Sequence, residues 1–163
     1  MGGPGDETGA VLGQDVSDRH RRAHGGARGA GGTFAALTGR PVSTRVFSRE
    51  EPLGAHITLA SRAHLLCVAP ATANFLAKAA CGLADDLLST LYLAFTGPVI
   101  LAPAMNCQMW DKPAVQRNVA QLRADGVTFV DPEEGWLSCR TRGIGRMAGP
   151  EKILAAIEQA FRA

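Results

Sequence analysis

Short, continuous apolar runs alternate with segments of helical period along the chain after residue 33. The runs at 65–69 (LLCVA), 99–102 (VILA) and 127–130 (VTFV) predict buried strands, since strands covered on both faces are apolar throughout. Cap residues and prolines mark four helices, at 74–80, after Asp85 or Asp86, from Pro113 to a stop at Gly126, and from Pro150 onward. Strands that alternate with helices predict an α/β fold, with helices layered on a parallel sheet.

The first 33 residues do not share this pattern. Ten of the 19 glycines fall there, and the only apolar run is the triplet at 10–12. Such a composition predicts loop or disorder. We therefore interpret 1–33 as an irregular segment, disordered or non-native, and 34–163 as a single layered domain whose first strand is missing or degraded.

Composition and charge narrow the class of protein. A chain of 163 residues that is 46% hydrophobic can bury one ordinary core. The net charge of +2 gives no sign of a nucleic-acid partner. No apolar run reaches the roughly 18 residues of a membrane span, and no signal-peptide pattern is present, so we expect a cytoplasmic protein without a membrane partner. The four cysteines form no CxxC pair, so no metal site is expected.

Ligands of parallel sheets lie beyond the carboxyl ends of the strands, which directs attention to two turns. The turn at 69–74 (APATAN) is built from small residues and leads into a helix, whose N–H groups suit an anion or an electron-rich ring edge. Taken alone, it is more often a plain connecting turn. The turn at 103–110 (PAMNCQMW) carries Asn106, which can clamp a carboxylate or an amide. Met105, Met109 and Trp110 could wall a flat pocket beside it, or pack on the core as ordinary loop residues.

The segment 135–147 combines three glycines and three arginines with the thiol of Cys139. The glycines indicate a mobile flap, and the alternative is a solvated basic hairpin. His56 is the last candidate, although a lone histidine is more often structural than catalytic.

Five stretches in order carry a family resemblance: TFAALTGRPV, GAHITLA, APATANFLAKAACGLADDLLST, APAMNCQMW and the flap ending GIGRM. Together they resemble the homo-oligomeric flavin-containing Cys decarboxylases, over residues 33–158 approximately. The resemblance implies a Rossmann-like (flavodoxin-like) parallel sheet with helices on both faces. It also implies FMN as cofactor and a homotrimer or higher homo-oligomer.

The same resemblance gives roles to individual residues. His56 matches an acid/base near the reacting cysteine, and Cys139 matches a flap cysteine that donates a proton. Asn106 matches the residue that holds the substrate carboxylate, and we place Met109 beside it. The FMN contacts expected on this basis are Thr72, Ala73, Asn74, Phe75, Ser89 and Met105.

The activity implied by the resemblance is FMN-dependent decarboxylation of 4′-phosphopantothenoylcysteine to 4′-phosphopantetheine in coenzyme A biosynthesis. In that chemistry the flavin oxidises the side-chain thiol to a thioaldehyde, whose C=S group accepts the electrons released with CO₂. The reduced flavin then returns a hydride and an acid returns a proton. Many bacterial relatives continue into a synthetase domain, so a chain ending at Ala163 is expected to work with a separate synthetase partner.

The chain also departs from the family pattern. Nothing in residues 1–33 resembles the glycine-rich turn that binds the FMN phosphate, so weak FMN binding is expected. Ser138 and Arg140 stand where the family more often has alanine and glycine. Two further functions therefore stay open, a non-catalytic flavin-binding or regulatory homologue and a decarboxylase of peptides ending in cysteine. The prenylated-flavin synthases share the fold and rank last, because they lack the Pro-Ala-Met-Asn run.

Overall fold

The computed structural model describes residues 10–12, 36, 39, 42–43, 46, 54–136 and 142–162. Six strands lie in this part of the chain: β1 (Ala10–Leu12), β2 (Leu66–Ala71), β3 (Val99–Pro103), β4 (Thr128–Phe129), β5 (Glu133–Trp136) and β6 (Arg142–Arg146). The six helices are α1 (Ala55–Arg62), α2 (Ala73–Cys81), α3 (Leu87–Ala94), α4 (Cys107–Trp110), α5 (Pro113–Ala124) and α6 (Pro150–Ala160). In these described residues no helix is both long enough and apolar enough to cross a membrane.

The first four strands form one parallel sheet in the order β1-β2-β3-β4. Successive residues of β2 point to opposite faces, so Leu66 and Val68 join one core cluster and Cys67 joins another. The first cluster is closed by α2, α3 and α5, and the second by α6 through Ile153. Helices therefore cover both faces, which confirms the predicted α/β fold with a parallel sheet.

The strand β1 is short. Its three residues pair in parallel with β2, Ala10 opposite Leu66 and Leu12 opposite Val68. The first strand of the sheet is therefore present in a short form. This pairing covers residues 66–68 of β2, whose backbone groups would otherwise lie at an open edge of the sheet. The rest of 1–33 lies outside the described residues.

The structure contains elements that the sequence pattern did not predict. Helix α1 begins after Gly54, whose φ is 90°, and no side chain caps its first turn. Helix α4 has four residues and starts at Asn106, whose Oδ1 accepts a hydrogen bond from the Gln108 N–H at 2.8 Å. Strands β5 and β6 form a separate antiparallel hairpin, which the sequence offered only as the alternative for the segment 135–147.

Two predicted helix starts are confirmed by their caps. The Thr72 hydroxyl accepts the Phe75 N–H at 3.3 Å at the start of α2. Asp86 accepts the Ser89 N–H at 2.8 Å, and the Ser89 hydroxyl accepts the Asp86 N–H at 3.2 Å, which makes a capping box for α3. Lys78 of α2 lies 2.6 Å from the same Asp86 carboxylate and 2.5 Å from that of Asp85. The ammonium group thus ties the end of one helix to the start of the next.

Asp86→Ala is expected to destabilise the protein by about 1–2 kcal/mol at neutral pH, because it removes the cap and one partner of Lys78. Burial by itself would raise the pKa of Asp86, but hydrogen bonds from Lys78 and Ser89 outweigh it and lower the pKa. A carboxyl with a lowered folded pKa stabilises the fold above its unfolded pKa of about 3.9, and that stability is lost as pH falls through the folded value. The difference between parent and variant in urea unfolding should therefore shrink below about pH 4.

Asp85→Ala is the matched control for this substitution. It removes an ion pair whose carboxylate is 55% exposed while leaving Lys78 bonded to Asp86, so a loss of about 0.5 kcal/mol or less is expected. Equal losses in the two variants, or a difference that is independent of pH, would show that the capping box contributes nothing measurable.

Candidate functional site

The two turns that the sequence singled out meet at the carboxyl edge of the sheet. Ala71, the last residue of β2, lies opposite Pro103, the last residue of β3. The Ala104 N–H donates to the Ala71 carbonyl at 3.1 Å, which joins the two turns beyond the strands. The turn leading to α2 and the turn leading to α4 are therefore neighbours, as the rule for parallel sheets predicts.

The first turn offers backbone donors and little side-chain bulk. Thr72 and Ala73 are half-buried, and Asn74 is exposed in the first turn of α2. Phe75 differs from these, because its side chain is fully buried and meets the Tyr92 ring edge-on at 5.9 Å between centroids. A ligand at this turn would thus meet small side chains and the start of α2, while the Phe75 ring stays in the core.

The second turn places Asn106 at the start of α4. Its backbone carbonyl accepts from the N–H groups of Met109 and Trp110, each at 3.0 Å, and its Oδ1 accepts from Gln108. Oδ1 is thus an acceptor in this arrangement, and Nδ2 is the donor end of the amide. Met105 is half-buried against the core, whereas Met109 is 47% exposed beside it.

The segment interpreted as a mobile flap is a hairpin whose second strand lies against the Asn106 turn. Met105 donates its N–H to the Gly145 carbonyl at 2.9 Å. A Cβ built on Gly143 would lie 2.9 Å from the Cys107 Cβ, and one built on Gly145 would overlap the Met105 carbonyl oxygen. These two glycines therefore allow β6 to pack closely on the turn, and mobility of the flap stays a prediction.

Three other predicted site residues do not belong to the two turns. His56 is half-buried in the first turn of α1, and α1 packs against α3. Ser89 is buried, and its hydroxyl is bonded to Asp86 in the capping box, so it serves the start of α3. Cys139 lies outside the described residues, in the segment 137–141 that joins β5 to β6. Of the predicted residues, the structure thus brings together those of the two turns.

An ion pair that the sequence did not predict holds the base of the hairpin. Glu133, at the start of β5, accepts from the Lys152 ammonium at 2.9 Å and from the Gly149 N–H at 3.5 Å. These contacts lower the pKa of Glu133, the bond from Lys152 having the largest effect. Glu133 thus ties the hairpin to the start of α6. The sequence did not predict this ion pair because Glu133 and Lys152 are 19 residues apart, which is beyond the range of local sequence patterns.

The residues at this edge fit one end of a flavin. Small side chains at 71–73 leave room for a planar ring near the backbone, and the first turn of α2 supplies N–H donors for its polar edge. Met105 adds an apolar contact next to them. Among the described residues, no cluster of three His, Cys, Asp or Glu side chains could hold a metal ion.

Comparison with known proteins gives matches over most of the chain. A family model described as Flavoprotein matches residues 26–162. The coenzyme A biosynthesis bifunctional protein CoaBC of Bacillus subtilis is 48% identical over 130 residues, which are 79% of this chain and 32% of that protein. CoaBC of Mycobacterium tuberculosis is 46% identical over 121 residues, which are 74% of this chain and 29% of that protein. The chain thus spans about a third of the length of the curated relatives it matches.

Solved structures show the same similarity. A cysteine-to-serine mutant of PPC decarboxylase complexed with pantothenoylaminoethenethiol has a TM-score of 0.70 and 32% identity, covering 76% of this chain and 71% of that chain. The FMN-dependent cysteine decarboxylase SpaF has a TM-score of 0.69 and 40% identity, covering 88% of this chain and 76% of that chain. These likenesses agree with the parallel sheet and its layered helices.

Proposed function

The chain belongs to the Flavoprotein family, and from that premise we propose that it is an FMN-dependent decarboxylase of 4′-phosphopantothenoylcysteine, yielding 4′-phosphopantetheine for coenzyme A biosynthesis. The observation that carries the proposal is the meeting of two turns at the carboxyl edge of the sheet. One turn offers backbone donors and small side chains, and the other presents the amide of Asn106. A flat cofactor and a carboxylate substrate need these two kinds of site side by side.

The proposed FMN site lies at the first turn. Thr72, Ala73 and Asn74 would bind the flavin ring through the start of α2, with Met105 against its apolar surface. When bound, FMN supplies the two-electron oxidation and reduction that decarboxylation of a cysteine derivative needs. The backbone at Phe75 is already bonded to Thr72, so this residue supports the turn from the core.

The proposed substrate site uses the second turn and the hairpin. Asn106 would bind the substrate carboxylate through Nδ2, and Met109 would cover the adjacent apolar part of the substrate. Cys139, in the segment joining β5 to β6, would hold the proton that is delivered last. His56 would move a proton near the reacting thiol. The phosphopantothenoylcysteine substrate would be supplied by a synthetase, either a separate partner or part of the same protein.

We also propose a homotrimer or higher homo-oligomer. Helix α3 (LLSTLYLA) is apolar on almost every side, and its Leu93 is 50% exposed. Ile57, on the adjoining helix α1, is 49% exposed. A helix that is apolar all round is normally covered, which favours a second copy over solvent at this face. Light scattering distinguishes one chain from several.

Titration with FMN is expected to show weak, saturable binding, read from the flavin absorbance near ~450 nm. No segment of the sequence resembles the glycine-rich turn that would bind the FMN phosphate. Each hydrogen bond to a charged group that is lost in this way costs about 1.5–3 kcal/mol of binding free energy. A total loss of ~4 kcal/mol would move micromolar binding to millimolar. Riboflavin, which has no phosphate, is the control, and its affinity should lie within about tenfold of that of FMN.

The two possible departures from this result have different meanings. No saturable change up to several millimolar FMN would rule out a flavin function for the chain. Tight, stoichiometric uptake of FMN with much weaker binding of riboflavin would retain the flavin function and overturn the expected weakness. In that case residues 1–33 would supply a phosphate site.

A peptide ending in cysteine is the second candidate substrate, favoured by the similarity to SpaF. It offers the same cysteine carboxylate to Asn106, so the two substrates differ only in what lies beyond the reacting group. Release of CO₂ from each substrate at saturating FMN decides between them. Flavin binding without CO₂ release from either would favour the non-catalytic homologue.

A further inference from the structure

Strand β6 approaches the Asn106 turn more closely than side chains would allow. The Gly145 carbonyl accepts the Met105 N–H at 2.9 Å, and Gly145 has a φ of 155°. A Cβ on Gly143 would lie 2.9 Å from the Cys107 Cβ and 3.1 Å from its Sγ. Contacts under 3.0 Å force a shift, so the absence of side chains at both positions permits the observed approach.

The turn is held on both sides of Asn106. On the side toward β3, the Met105 N–H is bonded to β6. On the other side, the Asn106 carbonyl and Oδ1 accept from the first N–H groups of α4, including Gln108 at 2.8 Å. Cys107 directly follows Asn106. A displacement of Cys107 by a larger residue on β6 would therefore also change the orientation of the Asn106 side chain.

The hairpin that carries β6 is itself anchored. Glu133 is bonded to Lys152 and to the Gly149 N–H, which fixes the start of β5 against α6. In the ion pair between Glu134 and Arg142 both side chains are exposed, so this pair adds little to the stability of the hairpin. Strand β6 can therefore act as a fixed support for the turn.

We infer that Gly143 and Gly145 are positioning residues, which fix the amide of Asn106 by letting β6 pack directly on the Met105–Cys107 turn. They touch neither cofactor nor substrate and act through Cys107 and Met105. That Asn106 binds a carboxylate is an inference that rests on the proposed function. That β6 positions Asn106 is inferred from the contacts of β6 alone.

The test is a size exchange between two residues in contact. Gly143→Ala adds a methyl group at a position with ordinary backbone angles, so its effect comes from Cys107 and not from strain. Gly143→Ala combined with Cys107→Gly removes the opposing Cβ and Sγ and makes room for that methyl group. Cys107→Gly alone provides the baseline for the double variant. Ile144→Ala, on the opposite and exposed face of β6, is the matched control.

Amide hydrogen exchange, resolved by residue with NMR on the full chain, reports the placement of Asn106 without any ligand. The Met105 N–H reports packing of β6, and the Gln108 N–H reports the Asn106 side chain. Gly143→Ala should speed exchange of both by about tenfold, and the double variant should return to the rate of Cys107→Gly. Ile144→Ala should leave both rates unchanged. Unchanged rates in Gly143→Ala, or no recovery in the double variant, would overturn the inference.

A binding comparison then tests the consequence for the ligand. At saturating FMN, Gly143→Ala should weaken binding of phosphopantothenoylcysteine by about tenfold, while binding of phosphopantetheine, which lacks the carboxylate, changes little. Equal weakening of both ligands would overturn a role for these glycines in carboxylate binding. If the parent chain binds neither ligand, the proposed function fails, and hydrogen exchange still decides whether β6 places Asn106.

Discussion

Asn106→Asp is expected to reduce kcat/KM for decarboxylation at least a thousandfold, with flavin binding unchanged. The substitution replaces the donor end of the amide by a carboxylate oxygen facing the substrate carboxylate. Two like charges about 4 Å apart near a protein surface repel by roughly 4 kcal/mol, which corresponds to about a thousandfold. The shape is retained, and aspartate caps a helix as well as asparagine does, so the bond to the Gln108 N–H and the start of α4 should survive.

The measurement is steady-state CO₂ release at saturating FMN, together with an FMN titration of the variant. Gln108→Glu is the control, since it makes the same change of charge two residues away on an exposed side chain. It should retain activity within a few-fold of the parent. Parent-like turnover by Asn106→Asp would remove Asn106 from the substrate site, and loss of flavin binding would move it to the cofactor site.

Cys139→Ala is expected to release about one CO₂ per site and then stall, because the proposed role of the thiol is to deliver the last proton. Oxidation and loss of CO₂ precede that step, so they should proceed without it. Rapid mixing with substrate at saturating FMN, followed by counting of CO₂ per chain, gives the number directly. Continued turnover would eliminate Cys139 as the proton donor.

A variant that releases no CO₂ at all would contradict the proposed order in another way, since the thiol would then be needed before decarboxylation. Cys81→Ala serves as the control, because Cys81 is exposed at the end of α2. It removes an exposed thiol far along the chain from the hairpin, and it should turn over repeatedly.

The sheet and most of its helices could be predicted from sequence because their signals are local. The apolar runs at 65–69 and 99–102 became β2 and β3, and Thr72 and Asp86 cap the helices that follow. Helix α1 was not predicted because Gly54 occupies the position where a capping side chain would have marked the start of the helix. Strand β1 was not predicted because three apolar residues in a glycine-rich segment are too few to show a strand periodicity.

The candidate site was predictable only in part. Both turns follow strong strands, so the rule for ligand edges brought Thr72 and Asn106 together correctly. The packing of β6 on the Asn106 turn depends on contacts between residues far apart in sequence, and Met105 and Gly145 are separated by 40 positions. Glycine serves equally as a hinge and as a close-packing residue, and sequence alone does not distinguish the two uses.

The contacts of Lys78 have a consequence for the chemistry of the protein's amines. Only 12% of this side chain is exposed, and the hydrogen bonds that its ammonium donates to Asp85 and then Asp86 raise its pKa. An amine with a raised pKa stays protonated and is a poor nucleophile, so acylating reagents should reach it last. Lys152, by contrast, is 68% exposed. Attachment of the chain to a support through its lysines would therefore leave the junction of α2 and α3 unmodified.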